Sequence, residues 1–88
     1  MNNKNQLPTI RVYDNGGTTA DRYTVVIDDS EWDSCSEPGT YTILSLDKGG
    51  KYFSQFGQGI EGKHLGNRVG YCSLDAATRK HIMSRLLG

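Results

Sequence analysis

The sequence predicts an α+β fold: a small antiparallel sheet of three to five short strands, one C-terminal helix packed on one face, and a long glycine-rich loop. Three observations carry this. Segments 9–13, 22–27 and 40–46 are short, alternating or rich in β-branched side chains, as strands require. Between the first two lies Asn15-Gly16-Gly17, whose positive φ angles suit a hairpin connection. After Ser73 the period changes to that of an amphipathic helix.

The chain has 88 residues, enough for one domain that buries roughly 60 to 65% of its unfolded surface. Hydrophobic residues make up 35% of it and glycine occurs 11 times, so the expectation is a thin two-layer fold over residues 8–88. Residues 1–7, MNNKNQL, show no periodicity and are expected to be a disordered tail. Formal net charge is zero, which argues against a general polyanion binder. The charges are nevertheless segregated: residues 1–46 hold three Lys/Arg against seven Asp/Glu, and residues 47–88 seven against three. The two halves either attract one another or form an acidic and a basic face.

In the first strand Ile10 and Val12 share one side, and Arg11 and Tyr13 the other. The second, Arg22-Tyr23-Thr24-Val25-Val26-Ile27, pairs with it as a hairpin. Residues 28–39 form an acidic loop closed by Pro38-Gly39. Asp29, Glu31 and Asp33 there have the alternate spacing of a calcium loop, but Ser34 and Thr40 stand where Gly and Glu are needed. Trp32 among these carboxylates is either tucked over the sheet edge or an exposed interface anchor. Segment 40–46 has apolar residues on both faces and is expected to lie centrally.

Residues 49–70 hold seven glycines with Tyr52, Phe53, Phe56, Lys51, Lys63, His64 and Arg68 interspersed. Segment 51–56 reads as a short strand or an ordered loop, and 68–72 as a last short strand. The helix is expected to start at Ser73 as cap, with Asp75 in its first turn. Its apolar side is Leu74, Ala77, Ile82, Met83, Leu86 and Leu87, with His81 at the boundary.

Gly57-x-Gly59-x-x-Gly62 spells the dinucleotide fingerprint, and Gly57-x4-Gly62-Lys63 nearly spells a P-loop. Both need a helix opening at the last glycine, which Gly66 and Gly70 preclude, and His64 replaces the magnesium-binding hydroxyl. A weaker reading survives: an anion nest flanked by Lys63, His64 and Arg68, with Tyr52, Phe53 or Phe56 as stacking platforms. The bland alternative makes the glycines turn residues, the cations solvated and the aromatics core. Ser54 with His64 and Asp47 is a catalytic triad on paper alone, and no catalytic residue is nominated. Cys35 and Cys72 lack metal or redox spacing and read as free thiols, Cys72 buried beside a strand end. No metal or cofactor is expected. No apolar run approaches the ~18 residues of a membrane span, and the chain reads as cytoplasmic.

The pieces Tyr13-Asp14-Asn15-Gly16-Gly17, Asp21-Arg22-Tyr23-Thr24-Val25-Val26, Phe53-Ser54-Gln55 and Gly62-x-His64-Leu65-Gly66-x-Arg68, followed by the C-terminal helix, are similar to a group of short bacterial, phage and plasmid proteins with no known activity. The likeness covers most of the chain from Thr9 onward and is weakest over 28–39. It implies a mobile-element setting, in which small compact proteins often act by binding a host or defence protein.

The expected function is accordingly a small non-enzymatic binding protein, a phage or plasmid accessory factor acting on a protein partner. Its contact residues would be Trp32, Asp29, Glu31 and Asp33. The alternative is a nucleotide or nucleic-acid binder through Lys63, His64, Arg68, Tyr52, Phe53 and Phe56. A small hydrolase stands third.

Overall fold

A computed structural model describes residues 8–18, 21–29, 39–46 and 54–87. Trp32, Glu31, Asp33, Cys35, Tyr52, Phe53 and the tail 1–7 lie outside the described residues.

The architecture is α+β, as the sequence predicts. Strands β1 (Thr9–Asp14), β2 (Tyr23–Asp28), β3 (Tyr41–Leu46), β4 (Ser54–Gly59) and β5 (Asn67–Val69) form one antiparallel sheet, and helix α1 (Ala76–Leu87) follows. The sheet order is β4-β3-β2-β1-β5. The first four strands are a meander in chain order, and β5 returns to pair with β1. β3 is central, as its two apolar faces predict.

Register sets the two faces. Val12 lies opposite Val25, Val25 opposite Leu44, and Leu44 opposite Phe56. These side chains, with Ile27 and Leu46, meet Leu74, Ile82 and Leu86 in one core. Ile82 is fully buried and is the anchor of α1. The helix buries less of its surface than its apolar periodicity suggests: Ala77 and Leu87 are exposed, and Thr78 is buried instead.

The helix start differs from the expected one. Tyr71–Ser73 form a 3₁₀ turn and Leu74 is extended, with φ −76° and ψ 153°, so that its side chain enters the core. Asp75 then caps α1: its carboxylate accepts from the Thr78 amide at 3.1 Å and from the Thr78 hydroxyl at 2.6 Å. The Ser73 hydroxyl turns back to the Gly70 carbonyl, 2.6 Å away. The last strand is likewise shorter and earlier than predicted, since the backbone leaves the ladder at Gly70.

β4 and β5 are opposite edges, so the chain between them must cross the sheet. It does so on the face without the helix, because Glu61 reaches Arg11 and Tyr13, which alternate with the core residue Val12. Val26, on this same face, is fully buried. Part of the predicted glycine-rich loop is therefore strand. At Gly59 a Cβ would stand 3.1 Å from Ile43 Cδ1, so the missing side chain leaves room for Ile43 of the neighbouring strand.

Candidate functional site

Residues on the strap side are joined by charge. The Arg11 guanidinium donates to both oxygens of Glu61, at 2.7 and 2.9 Å, and to Asp28 at 2.9 Å. Tyr13 donates its hydroxyl to Glu61 at 2.5 Å. Arg11 also lies 5.5 Å from the centre of the Tyr41 ring. Hydrogen bonds from Arg11 first, and from Tyr13 next, hold the Glu61 carboxyl below its ordinary range. The same carboxylate pushes the Tyr13 phenol up. A second pair closes the β1–β2 hairpin: Arg22 donates to Asp14 at 2.8 and 3.1 Å and lowers its carboxyl. These groups satisfy one another, and the cluster is built as a clamp between strap and sheet.

The pairing leaves an asymmetry. The two arginines of the acidic half, Arg11 and Arg22, are neutralised. Lys63, Arg68 and Lys80, from the basic half, are exposed and have no ion-pair partner among the described residues. Of these, Arg68 is on β5, where its charge acts on Glu61 and Tyr13.

Beside β5 runs a groove of about 270 Å³, lined by Ile10, Arg11, Val12, Arg68, Val69, Gly70 and Tyr71. Its origin is the brevity of β5. The Asn15 amide bonds the Arg22 carbonyl at 3.0 Å, so odd-numbered β1 residues turn their backbone groups toward β2 and even-numbered ones toward β5. Val12 and Asp14 then face Val69 and Asn67. Ile10 would face Tyr71, but the chain has turned away into the 3₁₀ turn. The N–H and C=O of Ile10 are left at an open edge, with no partner among the described residues.

The groove floor is apolar, from Ile10, Val12, Val69 and Tyr71, and the Tyr71 hydroxyl is tied to the Arg79 carbonyl at 2.9 Å. Arg79, on α1 and outside the groove lining, has a buried Nε with no acceptor among the described residues, and its charge lies near enough to Tyr71 to act on the phenol.

Of the sequence candidates, Arg68 lines this groove, while Lys63 and His64 sit exposed in the 3₁₀ turn Lys63–Leu65 of the strap. Phe56 is on the opposite edge strand and on the helix side, with Arg85 4.9 Å above its ring, so it does not join them in one anion site. Asp29 follows β2 and is half-buried. Ser54 meets His81, not His64: the Ser54 hydroxyl and His81 Nε2 are 2.9 Å apart, joining β4 to α1. Cys72 is exposed, contrary to the buried position expected, because residues 71–73 leave the sheet. Gly62 opens three residues of 3₁₀ helix and no α-helix, so the fingerprint spelling has no phosphate-binding geometry behind it.

Sequence reasoning missed Ile10 and Tyr71 as site residues. The available signal was Gly70, which ends β5 early and opens the edge of β1. No group of three or more potential ligands is arranged to hold a metal ion among the described residues, and no described helix is long and apolar enough to cross a membrane. Comparison with protein-family models, with curated proteins and with solved structures returned no match.

Proposed function

We propose that this chain is a non-enzymatic binding module that holds a segment of a protein partner in the groove beside β5. The observation that carries the reading is the open backbone edge at Ile10, lying over an apolar floor and flanked by Arg68. Exposed strand edges are templates for another chain, with main-chain hydrogen bonds giving affinity and side-chain pockets giving selectivity. A mobile-element accessory role fits this mode of action and comes from the sequence resemblance.

The alternative of a nucleic-acid binder rests on Lys63, His64 and Arg68, exposed along the strap and β5. It predicts capture that is lost with nuclease and falls steeply with salt.

Gly70 supplies the test. Its φ of −75° is ordinary, and a Cβ built there meets nothing within 4 Å, so a large side chain is accommodated while it blocks the groove. A tagged wild-type chain should retain a protein from source-cell lysate after nuclease treatment, and Gly70→Trp should release it with an unchanged circular dichroism spectrum. Equal retention by both chains would contradict the reading.

A further inference from the structure

We infer that the occupant of the groove is a short, extended, acidic segment, added to β1 at Ile10 with a carboxylate met by Arg68. This rests on the binding-module reading and specifies its ligand.

The backbone sets the length. The next β1-side residue that would face outward is Pro8, which has no N–H. One residue of the incoming segment can exchange both hydrogen bonds with Ile10, and the ladder cannot continue past Pro8. A proline next to an open edge is also a device that discourages long, indiscriminate pairing. The occupant is therefore short, centred on the one residue that pairs with Ile10 over the groove of about 270 Å³.

Charge sets the composition. Arg68 lines the groove, is exposed, and has no hydrogen-bond or ion-pair partner among the described residues. Charge-assisted bonds from guanidinium to carboxylate are among the stronger ones. Arg11, by contrast, is committed to Glu61 and Asp28 and brings no spare charge. Phosphate would satisfy Arg68 as well, but the unpaired Ile10 amide and carbonyl and the apolar floor suit a peptide backbone.

The test is selection of peptides from a displayed random heptapeptide library on the full chain, followed by fluorescence anisotropy. Selected peptides should carry Asp or Glu beside a β-branched or aromatic residue. Replacing those acids by their amides, or making Arg68→Gln in the protein, should weaken binding about tenfold or more, the loss expected for one charge-assisted hydrogen bond. Arg68 is exposed, so the fold of the variant is checked by an unchanged melting temperature. Peptides whose binding is lost on Gly70→Trp but which carry no acid would overturn this inference and leave the binding module standing. Peptides insensitive to Gly70→Trp, or no selection at all, would overturn both.

Discussion

The Glu61 carboxylate receives two hydrogen bonds from Arg11, at 2.7 and 2.9 Å, although fifty positions separate them in the chain. This contact pins the β4–β5 strap over the sheet, and so positions β5, whose length decides what edge of β1 stays open. Both side chains are about 20% exposed, which places the pair between surface and interior. Removing one partner leaves the other partly desolvated, so Arg11→Ala or Glu61→Gln should cost about 1–3 kcal/mol. Urea unfolding of the two single variants and the double variant measures it: a coupling energy near zero would show that the clamp is ornamental.

The clamp also gives a pH dependence. Hydrogen bonding from Arg11 lowers the folded Glu61 carboxyl, and that from Arg22 lowers Asp14. A carboxyl depressed by folding stabilises the protein above its unfolded pKa, about 4 for these groups, and that contribution disappears as pH falls through the folded value. Stability should therefore be level near neutrality and decline on acidification below about pH 5. Glu61→Gln should flatten the decline, and an identical acid limb in the variant would contradict the assignment.

Gly66 is where the strap passes closest to β1. It has φ +104°, and a Cβ there would lie 2.4 Å from the Asp14 carbonyl oxygen and 2.5 Å from Asn15 Cα. Both contacts are backbone, so neither moves without disturbing the hairpin. Gly66→Ala should lower stability by more than the roughly 1 kcal/mol of an ordinary Gly-to-Ala mismatch and loosen β5 first. Amide exchange at Asn67 to Val69 faster than in β2 would report this; unchanged protection would refute it.

Much of this fold was legible because its signals are local. Alternation gave β1, β2 and β3; Asn15-Gly16-Gly17 gave the hairpin, with Gly16 and Gly17 at φ +76° and +89°. The helix start was misplaced because both Ser73 and Asp75 are good caps, and the choice between them lies in Leu74, which enters the core only if extended. The groove was not legible. It depends on β5 pairing with β1 across more than fifty residues, and on the point at which that pairing stops. Arg68 was singled out for its charge, but nothing in its neighbourhood of sequence indicates Ile10 as company.

The buried Nε of Arg79 has no acceptor among the described residues, so Arg79→Met should leave the free protein as stable or up to about 1 kcal/mol more stable. Thermal unfolding checks this. A large loss of stability would mean that the guanidinium serves the fold.

At the centre of the account is the open edge of β1, and hydrogen exchange at the Ile10 amide tests it most directly. In the free protein Ile10 should exchange much faster than Val12, whose amide faces Val69 on the same strand. With the captured partner or a selected acidic peptide bound, the Ile10 amide should become protected while Val12 changes little. Ile10 protected in the free protein, or unchanged on binding, would contradict the groove as the contact surface.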